Sequence, residues 1–181
     1  FSALLLWLLC RAAFQGPQVA WCAVLFYLWS PFNVLWSRNC MIDFASAAWA
    51  LAYALLVRTW LARPGRAWPA VGAVVCGSLA YLTKVTTMAA YLPLLAVLVA
   101  GPLREKWATA GGAKAWWRTS RIELAGALVC LLAPALVGYA WVAYSDAVKA
   151  ASPFTRTGTS AAMAEWNLGP WQQRLSLEAW W

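Results

Sequence analysis

The sequence contains little charge and no histidine. Only 14 of its 181 residues are Lys or Arg and six are Asp or Glu, so charged residues make up 11% of the chain. In soluble domains roughly a quarter of all residues are charged. The low charge of this chain therefore excludes an ordinary soluble globular domain. Without histidine, the commonest metal-binding side chain is missing. The five cysteines show no paired spacing, so neither a disulfide framework nor a zinc site is predicted.

Most of the chain consists of apolar residues. They form 64% of the chain, and the mean hydropathy is +0.62. Stretches without a charged residue run over 12–37, 44–57, 67–83, 85–103 and 124–145. A membrane-spanning helix needs about 20 apolar residues. The pattern therefore predicts an all-α, polytopic transmembrane helical bundle with about six membrane segments, the first formed by the apolar start of the chain, and an interfacial tail on the outer face.

Turn signals divide these stretches into elements. After an opening apolar segment that ends near Cys10, helices are predicted at about 18–36, 42–60, 68–82, 86–100 and 122–144, with a polar, basic loop over 103–121. Residues 1–145 are predicted to be the transmembrane part, and 146–181 the start of an outer loop with an interfacial helix. Because the chain opens on Phe1 inside an apolar stretch and stops abruptly at Trp181, we expect it to be an internal fragment of a longer protein.

The basic residues predict an orientation. Alternate connections hold nine of them on one side: Arg11, Arg58, Arg63, Arg66, Arg104, Lys106, Lys114, Arg118 and Arg121. The opposite connections hold only Arg38 and Lys84 before the tail. The positive-inside rule then places the nine in the cytoplasm and residues 145–181 outside a plasma (inner) membrane. Since the basic residues are spread over separate loops rather than one stripe, no nucleic-acid partner is predicted.

Two polar clusters interrupt the apolar pattern, at Ser37–Asp43 and Leu82–Thr86. Charged groups near hydrocarbon are costly and mark candidate functional sites. Asp43 also suits the N-terminus of a helix, and Arg38 suits an interface anchor. Lys84 requires an anionic partner, which is either Asp43 in a structural ion pair or the phosphate of a lipid substrate. The residues leave both interpretations open.

The order of these motifs resembles the polyprenyl-phosphate-sugar-dependent membrane glycosyltransferases of the GT-C fold. This group includes the protein O-mannosyltransferases (glycosyltransferase family 39) and the lipid A aminoarabinose transferases. The resemblance rests on Ser30-Pro31, Ser37-Arg38, Asp43, Gly77, Leu82-Thr83-Lys84 and Ala133-Pro134. The tail is similar to a bacterial branch of the family at Asp146, Lys149, Ser160, Trp166-Asn167-Leu168-Gly169 and Arg174.

The resemblance implies an inverting transfer of a sugar from a polyprenyl phosphate to a lipid, glycan or protein acceptor at the outer face. The family's general base is an acidic residue of an outer loop, expected upstream of Phe1. Lys84 would bind and stabilise the lipid phosphate, Arg38 would add positive field near it, and Asp43 would hold Lys84 or position the acceptor, the base or a metal. A divalent metal is possible because some relatives use one, but Asp43 is the one plausible ligand in this sequence, so no metal site is assigned.

Two other functions fit the same residues. A transporter or lipid flippase could use Asp43 and Lys84 in a substrate or proton pathway. A structural membrane subunit could use them only as an ion pair, and neutralising both together would then be silent.

Overall fold

The computed structural model describes residues 1–14, 16–30 and 42–163, and within these ranges the chain is helical without a strand. The helices are α1 (Ser2–Ala13), α2 (Pro17–Trp29), α3 (Ile42–Ala62), α4 (Ala67–Thr83), α5 (Val85–Thr109) and α6 (Ala113–Ala150), followed by a 3-10 turn at Arg156–Gly158. The all-α prediction is therefore confirmed.

Two of the helices have the length and composition of membrane segments, and the protein's surface is apolar. Asp43–Ala62 of α3 and the whole of α6 are long and apolar enough to cross a membrane, whereas α1, α2 and α4 are shorter apolar helices. Large apolar side chains cover the outside, and Phe26 and Trp29 are more than 80% exposed. A soluble protein rarely leaves so much apolar surface in water. These surfaces are suited to contact with lipid.

Helix α3 lies at the centre of the first of two compact units, which covers Phe1–Gly138. It contacts α1, α4 and α5. Its fully buried positions include Ser46, Ala50 and Ala54, which recur at the helical spacing of four residues. On α4, Ala73 and Ala80 are likewise fully buried. Small side chains let two membrane helices approach closely, which explains why α3 and α4 form the main helix pair.

Helix α6 packs through residues on one face that are separated by four or eight positions. A Cβ added at Gly126 would lie 2.1 Å from Cη2 of Trp60 in α3, and one added at Gly138 would lie 2.7 Å from Cδ1 of Tyr81 in α4. Pro134 lies between them, and its Cγ would be 2.8 Å from a Cβ added at Gly77. Each contact thus needs a residue without a side chain on one of the two helices.

Pro134 also removes a backbone hydrogen bond from α6, because proline has no N–H to donate to the carbonyl four residues earlier. That carbonyl belongs to Cys130, and it accepts a hydrogen bond of 2.9 Å from the hydroxyl of Tyr53. Tyr53 is 2% exposed, so neither group can turn to water. The side chain from α3 therefore replaces the missing bond, as a proline inside a membrane helix requires.

Four predicted boundaries were wrong. Helix α2 ends at Trp29, with Ser30 as its C-cap, whereas the sequence predicted that it continues to about residue 36. Helix α5 continues through Gly101 and Pro102 to Thr109, and α6 begins at Ala113, so most of the predicted 103–121 loop is helical. Helix α6 ends at Ala150 rather than near Tyr144. Polar residues here belong to helix ends that extend beyond the apolar stretch, and Glu, Lys, Arg and Ala are good helix formers. The turn between the helices is short and includes Gly112, at a φ of 134° that favours glycine.

The second compact unit starts at Tyr139 and is described as far as residue 163. Its chain folds back on the last turns of α6. The N–H of Ser160 donates to Oδ1 of Asp146 at 3.0 Å, and Nζ of Lys149 donates to the carbonyl of Gly158 at 2.9 Å. The predicted interfacial helix of the tail lies outside the described residues, and the division at residue 145, which falls within α6, stays a prediction.

Replacing Tyr53 with phenylalanine should leave the Cys130 carbonyl without its donor. We expect Tyr53→Phe to lower the free energy of unfolding by about 1–3 kcal/mol, the cost of an unpaired buried polar group. In a Pro134→Ala background residue 134 regains an N–H for that carbonyl, so the same change should cost less. Unfolding of the four variants of this cycle in mixed micelles measures the difference. Equal costs in both backgrounds would contradict the assignment.

Two glycines with opposite surroundings test the packing of α6. We expect Gly126→Ala to destabilise the bundle by about 1–3 kcal/mol, because its Cβ would overlap the buried ring of Trp60. The matched control is Gly101→Ala in α5, where an added Cβ meets nothing within 4 Å. That change should be neutral or slightly stabilising. Thermal unfolding in the same detergent checks both, and a loss of stability at Gly101 alone would be evidence against this packing.

Candidate functional site

Lys84 forms a helix break one residue long. It is both the C-cap of α4 and the N-cap of α5, with an extended backbone at φ −162° and ψ 101°. Its N–H still donates to the carbonyl of Ala80 at 3.0 Å, and its own carbonyl accepts from the N–H of Met88 at 3.3 Å. The chain therefore changes direction while both helix ends keep backbone hydrogen bonds. The lysine side chain is displayed at the junction.

Asp43 lies in the first turn of α3 and binds Lys84 directly. The ammonium Nζ donates to Oδ1 of the carboxylate, and the two side chains are 37% and 41% exposed. The carboxylate is favoured by the positive end of the α3 dipole, and the ammonium by the negative end of α4. The structure thus brings together two of the three predicted site residues.

Ser46 fixes the position of the Lys84 break. One turn along α3 from Asp43, its hydroxyl lies 3.2 Å from the carbonyl of Ala80 and 3.4 Å from that of Lys84. Both carbonyls already accept a backbone N–H, from Lys84 and Met88, and a carbonyl oxygen has a second lone pair that can accept from the serine. Ser46 is fully buried, so this contact replaces water. The serine therefore links the backbone of the break to α3, while Asp43 holds the lysine side chain.

The start of α5 adds to the positive charge of this end. The helix begins directly after Lys84, with no side-chain cap and no acidic residue in its first turn among the residues described. Val85 and Thr86 are exposed. Backbone N–H groups at a helix N-terminus attract anions, and a lysine beside them strengthens the effect. The arrangement can bind an anionic group such as a phosphate.

The third predicted residue, Arg38, lies outside the described residues, and its part in the site stays a prediction. The described residues do not fit a divalent metal. No three of their His, Cys, Asp or Glu side chains lie close enough together to bind one, and the Asp43 carboxylate is held by an ammonium.

Sequence reasoning missed Ser46 and a second ion pair at the opposite end of the bundle. There Nζ of Lys106 in α5 donates to Oε1 of Glu123 in α6, whose side chain is 9% exposed. A lone acid at the start of an apolar run was the available signal for Glu123. No signal identified Ser46, because serine is common in apolar helices and its partner depends on how α3 is rotated against α4.

A family of known proteins matches most of the chain. The dolichyl-phosphate-mannose-protein mannosyltransferase family matches residues 1–141, a range that contains Asp43, Ser46 and Lys84. The chain belongs to this family. Neither a curated protein nor a solved structure matches it significantly. The resemblance to lipid-phosphate-dependent glycosyltransferases is confirmed.

Family membership gives the site a chemical setting. A dolichyl-phosphate-mannose-protein mannosyltransferase is a membrane glycosyltransferase that uses a sugar linked to a lipid phosphate. Such a donor carries an anionic phosphate next to a long apolar chain. The Lys84 end of the bundle offers a cation beside apolar, exposed side chains such as Leu82 and Val85. The chemistry of the site and that of the family's donor are therefore complementary.

Proposed function

We propose that the chain forms part of a glycosyltransferase that moves a sugar from a polyprenyl phosphate to an acceptor at the outer face of the membrane, with Lys84 binding the donor phosphate. The observation that carries the proposal is the helix break at Lys84. It places an ammonium, half-exposed and held by Asp43, beside the uncapped start of α5. The outer face follows from the loop charges, which favour the opposite end as cytoplasmic.

Lys84 acts by stabilising charge that develops on the leaving group. In the donor, the phosphate is a diester of the sugar and the polyprenol and carries one negative charge. Transfer breaks the bond between the sugar carbon and the phosphate oxygen and forms a bond from that carbon to the acceptor oxygen. A base takes the acceptor proton, and the polyprenyl phosphate leaves with a second negative charge. A positioned ammonium stabilises this added charge more than the first, which lowers the barrier.

Asp43 acts through Lys84. Its carboxylate fixes the direction of a flexible side chain, so less conformational entropy is lost when the phosphate binds. It also keeps the ammonium close to the helix break. In this role Asp43 is a positioning residue. The general base that takes the proton from the acceptor hydroxyl is then a carboxylate elsewhere in the protein.

Lys84→Met should lower kcat/KM for transfer from polyprenyl-phosphate-mannose by about 100- to 1,000-fold, the usual loss when one transition-state charge contact is removed. Lys84→Arg should recover much of the loss, because a cation returns to the phosphate. Asp43→Asn should cost less than Lys84→Met, since the ammonium remains. The assay uses the full-length protein in proteoliposomes and labelled donor. Lys114→Met removes an exposed lysine near the start of α6 and should leave the rate unchanged.

Two results would count against the proposal. If Asp43→Asn combined with Lys84→Met transfers sugar at the normal rate, the ion pair is only structural. If Lys84→Met instead blocks movement of the polyprenyl-linked sugar across the bilayer and leaves transfer intact, the residue serves transport.

A further inference from the structure

Two neighbouring cavities are both lined by Arg58, near the end of α3 that is opposite to Asp43. The smaller, which we call the basic pocket, has a volume of 360 Å³ and is lined by Arg58, Thr59, Arg63, Arg66, Trp68 and Pro69, among others. The larger, which we call the apolar groove, has a volume of 770 Å³ and runs beside α1, α3 and α5. Arg58 and Ala62 line both. A molecule at Arg58 could therefore occupy the two together.

The basic pocket is a concentrated positive charge. Three guanidinium groups, from Arg58, Arg63 and Arg66, line it, and none of its lining residues is acidic. The ion pairs among the described residues involve Lys84 and Lys106, so Arg58 has no carboxylate partner there. A guanidinium matches the geometry of a phosphate with two parallel hydrogen bonds. The pocket is thus complementary to a phosphate group.

The apolar groove is complementary to hydrocarbon. Its walls include Leu6, Leu9, Leu51 and Leu98, and its polar residues near the Arg58 end include Glu105 and Lys106. Lys106 is held by the buried Glu123, which directs its ammonium toward α6. A phosphate is therefore attracted to the arginines rather than to this lysine.

The position of both cavities agrees with a membrane interface. Trp68, at the edge of the basic pocket, is 60% exposed, and tryptophan favours the level of the lipid head groups. Arg58 lies 15 residues after Asp43 in α3, about 22 Å along the helix. The pocket is thus separate from the Lys84 site, and the inference does not rest on the proposed transfer.

We infer that this end of the protein binds an anionic glycerophospholipid, with its phosphate between Arg58, Arg63 and Arg66 and an acyl chain in the apolar groove. Basic residues at a membrane surface are common as anchors, and that alone would not bring three arginines to one cavity. Here the basic pocket also adjoins an apolar groove, with Arg58 and Ala62 lining both. A lipid with a charged head and an apolar chain satisfies both parts at once.

The test compares two sets of three arginines. The full-length protein is titrated with phosphatidylglycerol in neutral detergent, and bound lipid is counted by native mass spectrometry. We expect one saturable site, weakened roughly a hundredfold when Arg58, Arg63 and Arg66 all become Gln. The matched control changes Arg104, Arg118 and Arg121 to Gln. These three are exposed, as Arg63 and Arg66 are, and they are predicted on the same side, so the control should keep the site. Equal weakening in both variants would overturn the inference in favour of general charge attraction.

A second variant tests the groove without changing charge. Gly101 lines it, and an added Cβ there meets nothing within 4 Å, so Gly101→Leu should fold and fill part of the space. We expect it to weaken phosphatidylglycerol severalfold without affecting binding of glycerol phosphate. Unchanged lipid binding in Gly101→Leu, or competition by glycerol phosphate as strong as by the lipid, would overturn the acyl-chain part. Sugar transfer in phosphatidylcholine should be normal in Gly101→Leu and in the control variant of Arg104, Arg118 and Arg121, which separates this result from any failure of the Lys84 proposal.

Discussion

A polar group inside a bilayer has no water to bind, and this constraint determines how the helices of this protein contact one another. Pro134 frees a carbonyl in α6, and Tyr53 occupies it. Ser46 is fully buried, and its hydroxyl lies against the carbonyls of Ala80 and Lys84 at the end of α4. Lys84 carries a charge near hydrocarbon, and Asp43 neutralises it. In all three cases the side chain that makes the contact comes from α3, so one helix supplies the polar partners of its neighbours.

This arrangement explains how a bundle of apolar helices can hold a charged residue in a defined position. The break at Lys84 would be mobile if it depended on the connection between α4 and α5 alone. Small residues bring α4 close to α3, and the close approach allows Ser46 to reach the backbone of the break. The lysine side chain is then limited by Asp43 one turn away. Precision at the site thus derives from packing in the bundle.

Much of this could be predicted from the sequence. The lack of charge predicted helices in a membrane, and the boundaries of α3 and α4 followed from Asp43, Arg63 and Lys84. The pairing of Asp43 with Lys84 was one of two open interpretations. The contacts of Ser46 and Tyr53 could not be predicted, because they depend on the rotation of each helix. The polar segment after Pro102 was mistaken for a loop, since a helix that extends beyond the apolar stretch has the same composition.

The central claim is that Lys84 binds the donor phosphate in addition to forming its ion pair with Asp43. The most direct measurement exchanges the two charges, with Asp43→Lys and Lys84→Asp in one protein, and records both thermal stability and sugar transfer. The ion pair can re-form in reverse, so we expect stability to return to within about 1 kcal/mol of the parent protein. Transfer should stay lost, because a carboxylate now faces the phosphate from the helix break. Recovery of transfer together with stability would contradict the account and reduce Lys84 to a structural residue.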